Sequence, residues 1–470
     1  MKLTILGGAG VRTPLFVQSI IAISEEFDID TVCLMDIDTH RLNLIGFVAR
    51  QLVSRAGNPV ALECTDDARE AISGSDFVVS AIRVGGLEGR VTDETVALRY
   101  GVIGQETTGP GGICMGMRTI PVMLQYARIM KELCPNAWLI NFTNPSGMIT
   151  QAIKSSGITH RVVGVCDGPS AMFHRVATAI GVDESRAHFD YFGLNHLGWL
   201  RGIYADGEEV LQGAIHGLEG EALAAPSGLS GVEEVSVFGP DLVHSLGMIP
   251  NEYLYYYYYN REAVEHILRA PQTRGQFLVE STADMLGRLS RAIAEQDGDR
   301  ALAEYNRYID TRRRLYMKTE TGSSSGSSSA SADATCASEQ AGADSGYERI
   351  ALGVIRAIRM NLHEVMVLNT CNLGAIGGIA HDAVVEIPCL VDASGPRPSA
   401  VGSVPMGCLG LMQQVKECEM LACEAAVTGS YSAAWKALAL HPLVPSASVA
   451  RGILDDYLKE HGTLLAHIRR

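Results

Sequence analysis

No apolar run in this chain reaches about 18 residues without polar interruption, so no membrane-spanning helix is expected. There is no basic surplus either: 38 Lys and Arg face 53 Asp and Glu, a formal net charge of −15. That argues against nucleic acid as the main partner, although a local arginine pocket can still receive an anionic substrate. The 11 cysteines form no paired framework, and Cys33, Cys64 and Cys371 sit in apolar runs as buried free thiols would. No basic-then-apolar leader precedes the first apolar run, and the expected location is a reducing cytoplasm. Nor is there an internal repeat, or the closely paired set of four ligands that a structural zinc needs.

What is present is 470 residues, 47% apolar and 19% charged, the composition of a globular enzyme of two joined domains. Short apolar runs at 3–6, 31–35, 77–82, 138–142 and 162–165 read as strands, and helical spacing fills 11–23 and the stretch that Asp38 caps through Arg50. This alternation predicts an α/β fold, a Rossmann-type doubly wound parallel sheet over residues 1–190. Residues 191–470 read as a second α+β region for substrate, metal and oligomerisation. It has strands at 191–194, 197–204 and 383–391 and helices near 262–268, 274–296, 348–361 and 409–427. The Ser-, Gly- and Ala-rich stretch within 321–345 reads as a loop, either a plain insertion or a lid.

Gly7, Gly8 and Gly10 stand between the first strand and helix, where glycine lets a pyrophosphate approach backbone amides. The usual third glycine is missing, and Arg12 and Thr13 occupy that region. Asp36 closes the second strand, where a carboxylate accepts both ribose hydroxyls, which favours NAD over its phosphorylated form.

Cys166 ends a strand at the sheet's carboxyl edge, and His196 lies in Gly-Leu-Asn-His-Leu. Either alone reads as a buried structural residue. Together, a thiolate and an imidazole suit Mn²⁺, Fe²⁺, Co²⁺ or Ni²⁺ and leave coordination positions for substrate hydroxyls. Asp167 reads as an acid or base beside that metal, or as a helix N-terminal carboxylate. Asn144, before Pro145, is a substrate contact or a turn former. Residues 85–90 and 104–112 are expected to frame a polar loop in which Arg90 and Glu106 face substrate. One tyrosine of the run from Tyr253 to Tyr259 is a candidate base.

These pieces resemble the family 4 glycoside hydrolases, the NAD- and metal-dependent glycosidases, and among them the 6-phospho-β-glucosidases. The likeness runs through Arg-Val-Gly-Gly-Leu (83–87), Gly-Gln-Glu-Thr-Thr-Gly-Pro-Gly-Gly (104–112), Asn-Phe-Thr-Asn-Pro (141–145), Cys-Asp-Gly-Pro (166–169), Gly-Leu-Asn-His-Leu (193–197), Ile-Pro-Asn-Glu-Tyr-Leu (249–254) and Val-Val-Glu-Ile-Pro (384–388). The resemblance implies a lactate/malate-dehydrogenase-like fold, Cys166 and His196 as Mn²⁺ ligands, Asn144 as a substrate contact and Tyr253 as the base. It implies redox elimination: oxidation at C3 of the sugar, proton removal at C2, loss of the aglycone, water addition and return of the hydride. Asp167 resembles the α-acting members, where many β-acting ones carry Asn. A homodimer or homotetramer acting on a glycoside or phospho-glycoside is the expectation, with no membrane partner. A malate- or lactate-type dehydrogenase, without need of a Cys-His metal pair, is the competing enzyme class. A non-catalytic NAD-binding sensor is the third.

Overall fold

The computed structural model describes residues 1–220, 228–314 and 347–470, and the segment 321–345 therefore lies outside the described residues. Six parallel strands form its first half: β1 (Lys2–Leu6), β2 (Thr31–Met35), β3 (Ala61–Thr65), β4 (Phe77–Ser80), β5 (Trp138–Asn141) and β6 (Val162–Gly164). Their order, β3-β2-β1-β4-β5-β6, is that of a dinucleotide-binding sheet. Leu3, Leu6, Val32, Leu34 and Val78 have no exposed surface, because helices cover both faces and only near-continuous apolar strands survive there. Each such side chain contributes roughly 1.5–3 kcal/mol. β3 escapes the apolar pattern because it is the open edge, where Ala61 and Glu63 are exposed and Leu62, Cys64 and Thr65 half-buried.

The second half extends the same sheet with antiparallel strands. These are β7 (Ala187–Leu194), β8 (Leu197–Ala205), β9 (Glu208–Glu209), β10 (Ile249–Pro250), β11 (Glu364–Cys371), β12 (Val384–Asp392) and β13 (Gly395–Pro398). Beyond β6 the order continues β11-β12-β7-β8-β10, with β13 on β12 and β9 on β8. β11 mixes Glu, Asn, Thr and Cys and gives no clean alternation, yet it pairs with β12 over its full length.

The expected polar loop is corrected. Residues Gly86–Arg99 and Gly109–Leu133 are helices, and only 100–108 connect them irregularly. Glycines there serve close approach, not flexibility: a Cβ on Gly111 or Gly112 would strike the carbonyl oxygen of Gln105 or Thr107. The long helix then carries Arg118 to the helix 86–99. Its Nε donates to Val84 O at 2.8 Å and its Nη1 to Asp93 Oδ1 at 2.8 Å. His461, from the helix Ala447–His461, reaches the same Asp93 oxygen at 2.9 Å. The guanidinium fills the space among Asp93, Cys114 and His461 that a cation would otherwise take.

Candidate active site

The first turn folds as glycine dictates. Gly7 adopts φ 92°, and a Cβ there would stand 2.6 Å from Ala81 O. Gly7 and Gly8 donate to Met35 O at 2.9 and 2.8 Å. Asp36 accepts from the amide of Ala9 at 3.0 Å, and so pins the turn as well as facing the cavity. A cavity of about 660 Å³ opens here, lined by Gly7, Gly10, Arg12, Asp36, Arg90 and Asn144 among others. Gly8 is not in its wall, and a Cβ there would strike Leu34 and Met35 at 2.8 and 2.9 Å. Arg12 meets Glu348 at 3.2 Å.

Arg90 and Glu106 do come together, but as partners of each other. Glu106 bridges Arg83 and Arg90, at 2.7 Å from Arg90 Nη1, while Arg90 Nε holds Glu94 at 2.7 Å. Burial would push the Glu106 carboxyl up; Arg83 and Arg90 outweigh it and hold it at about 2. Arg83 and Arg312 share this cavity wall, and sequence reasoning overlooked both.

Cys166 follows β6, 7% exposed, with Asp167 next to it at the start of the helix Gly168–Ile180. Asp167 stands at the N-cap position of that helix, as a helix N-terminal carboxylate would, although its side chain makes no capping bond. His196 is the second residue of the turn between β7 and β8 and sits at φ 62°, a left-handed conformation that costs a non-glycine residue roughly 1–2 kcal/mol. Its Nδ1 lies 3.0 Å from Thr107 Oγ1, and its ring stacks flat on Tyr253, centroids 3.8 Å apart at 1°. Burial lowers the imidazole to about 4 and keeps it neutral, the form that binds a metal. Glu252, beside Tyr253, shares the surroundings of Gly168 with the thiol: Glu252 Oε1 and Cys166 Sγ both lie within 3.7 Å of where a Cβ on Gly168 would stand. Cys166, Asp167 and Glu252 thus form one acidic cluster and Tyr253 carries His196 on its ring, while none of the five lines the cavity whose wall holds Asn144.

Burial dominates the electrostatics of this cluster, with Arg12 and Arg175 opposing it at the carboxyls. Burial raises the Cys166 thiol, and Glu386, Asp167 and Glu252 raise it further. Burial also raises Asp167 and Glu252, the latter with help from Glu234. Glu252 Oε2 is buried without a hydrogen-bond partner. A soft thiol, a neutral imidazole and surplus carboxylates fit a divalent transition ion. Glu252 and Glu386 were within reach of sequence reasoning, since they stand in Ile-Pro-Asn-Glu-Tyr-Leu and Val-Val-Glu-Ile-Pro. A larger crevice, about 1170 Å³, also reaches Cys166 but touches no other candidate site residue.

A dinucleotide-type sheet with this acidic, thiol-bearing cluster at its carboxyl edge defines a nucleotide- and metal-using enzyme class. Comparison with known proteins resolves it. Residues 2–182 match the model of family 4 glycosyl hydrolases and residues 191–444 that of the family 4 glycosyl hydrolase C-terminal domain. The chain belongs to glycosyl hydrolase family 4. It is 36% identical over 469 residues to a probable 6-phospho-beta-glucosidase of Bacillus subtilis, covering 99% of this chain and 97% of that one. Among solved structures it is similar to a 6-phospho-alpha-glucosidase from gut microorganisms in complex with NAD and Mn²⁺ (TM-score 0.78, 27% identity, 98% of each chain). It is likewise similar to the 6-phospho-beta glucosidase of Thermotoga maritima with manganese, NAD⁺ and glucose-6-phosphate (TM-score 0.78, 26% identity, 98% of each chain).

Proposed function

We propose that this chain is a cytoplasmic, homo-oligomeric glycosidase of 6-phosphoglucosides, β-linked as in the Bacillus subtilis relative, working with NAD⁺ and Mn²⁺. The observation that carries the reading is the set of buried groups Cys166, Asp167, Glu252 and His196, with a neutral imidazole and an unpartnered Glu252 Oε2. When bound, the nicotinamide would supply a reversible hydride acceptor and the divalent ion a Lewis acid for a sugar oxygen.

The chain's own groups have distinct tasks. Gly7, Gly8, Gly10 and Arg12 shape the pyrophosphate end, and Asp36 receives the ribose. Cys166 Sγ and His196 would hold the metal; Thr107 takes Nδ1, so Nε2 is the ring nitrogen offered. Tyr253, stacked on that imidazole, is the base for the C2 proton, since a cation nearby favours its phenolate. Asp167, its carboxyl raised, is suited to carry a proton to the leaving group. Asn144 hydrogen-bonds a sugar hydroxyl. Arg83, Arg90 and Arg312 outnumber Glu94 and Glu106 and favour a phosphate in this cavity. Residues 1–190 would then hold the cofactor and also lend Cys166, Asp167, Arg83, Arg90 and Asn144 to the metal and substrate, while 191–470 would bring His196, Tyr253 and Arg312.

The test is release of nitrophenol from α- and β-linked p-nitrophenyl glucosides, with and without 6-phosphate, in NAD⁺, Mn²⁺ and reductant. The expected outcome is release from the 6-phospho-β substrate without net NADH, abolished by chelator and by Cys166→Ser. Release from the α-linked phosphate alone would reverse the anomeric assignment. Net NADH without nitrophenol would establish a dehydrogenase instead.

A further inference from the structure

Glu386 is a buried carboxylate, 1% exposed, on the central antiparallel strand β12. Among the described residues no cationic side chain pairs with it. It is held instead by neutral donors: Tyr191 Oη at 2.9 Å, Asn195 Nδ2 at 3.1 Å and Asn369 Nδ2 at 3.0 Å. Two glycines make the room. Glu386 pairs across the sheet with Gly193, and Asn369 with Gly164, where a Cβ would press to 2.8 Å from the Asn369 Cβ. Burying a carboxylate without a cation is costly, and the sheet does so between the ends of β6 and β7.

Asn195 links this carboxylate to the site. Its other amide atom, Oδ1, accepts from Gly147 N at 3.4 Å, and the next residue is His196 at φ 62°. A left-handed histidine persists only where its surroundings over-determine it. The adjoining bonds from Asn195 to Glu386 and to Gly147 do that from the strand side. Thr107 and Tyr253 do it from the ring side.

We infer that Glu386 is a positioning residue, which through Asn195 fixes the turn that presents His196 to the metal. This rests on the reading of Cys166 and His196 as the metal's ligands.

The experiment is Mn²⁺ titration of the NAD⁺-loaded protein, read by the EPR signal of free Mn²⁺, with NAD⁺ affinity and thermal midpoint measured in parallel. Glu386→Leu and Asn195→Ala are expected to weaken Mn²⁺ binding by about 10–100-fold, with NAD⁺ affinity unchanged. Glu386→Gln is expected to bind Mn²⁺ as the parent does: its Oε1 can still accept from both amides while its Nε2 donates to Tyr191. Parent-like Mn²⁺ affinity in Asn195→Ala would overturn the inference, and that variant decides alone if Glu386→Leu does not fold. Equal loss in Glu386→Gln and Glu386→Leu would overturn it too, because charge and not position would then be what matters. Cys166→Ser separates the two levels: if it binds Mn²⁺ normally, the ligand reading fails and the inference with it. If it loses Mn²⁺ while Asn195→Ala does not, only the inference fails.

Discussion

At the scale of single residues, the chemistry rests on which atoms are already engaged. His196 presents one face to Tyr253 and its Nδ1 to Thr107. Removing that hydroxyl frees the ring to turn, because a ligating histidine is oriented by the partner of its other nitrogen. Thr107→Val is therefore expected to lose about 10–100-fold in Mn²⁺ affinity with little change in thermal midpoint, as metal titration and calorimetry would show. Cys166 and His196 could be singled out from sequence by residue type and by their place in turns. Thr107 could not, because its role exists only once the connection after Arg99 is brought against the β7–β8 turn.

At the scale of elements, the turn after β1 is shaped by what glycine alone permits. Gly7 combines φ 92° with a Cβ position 2.6 Å from Ala81 O, so β4 leaves no space for a side chain. Gly7→Ala is expected to cost about 1–3 kcal/mol in urea unfolding and to abolish NAD⁺ binding in a fluorescence titration. This turn was legible because glycines clustered directly after an apolar strand mark a tight turn with close backbone approach. The helices Gly86–Arg99 and Gly109–Leu133 were not. Their glycines imitate a loop in sequence, and only packing against Gln105 and Thr107 reveals why they are small.

At the scale of the molecule, the helix Ala447–His461 is tied through His461 to a buried ion pair between the helices Gly86–Arg99 and Gly109–Leu133. Arg118 and Asp93 have fully buried side chains, and His461 shares the carboxylate. Breaking such a pair from one side strands a charge, and Arg118→Met is expected to lose roughly 3–5 kcal/mol by chemical denaturation. Acid stability has a separate source. His441 is buried and accepts from Leu443 N at 3.2 Å, and burial lowers it from 6.5 to about 4. Below pH 6.5 the unfolded chain takes up a proton that the folded chain refuses, so stability falls as pH drops from 6.5 towards 4. His441→Gln is expected to flatten that part of the stability–pH curve, with a difference on the order of 3 kcal/mol at its lower end.

The sequence by itself determined the parallel half of the sheet, the glycine turn, Asp36 and the identity of the thiol and imidazole. Apolar period and glycine placement are local properties that the chain carries wherever it goes. Tertiary structure decided the rest, because it depends on contacts between residues remote in sequence. It tied Arg90 to Glu106 instead of leaving it open, brought Glu252 to the same glycine, Gly168, as the thiol of Cys166, and joined Glu386 to the turn that holds His196. A buried charge shows its role only through its neighbours, and those neighbours are set by the fold.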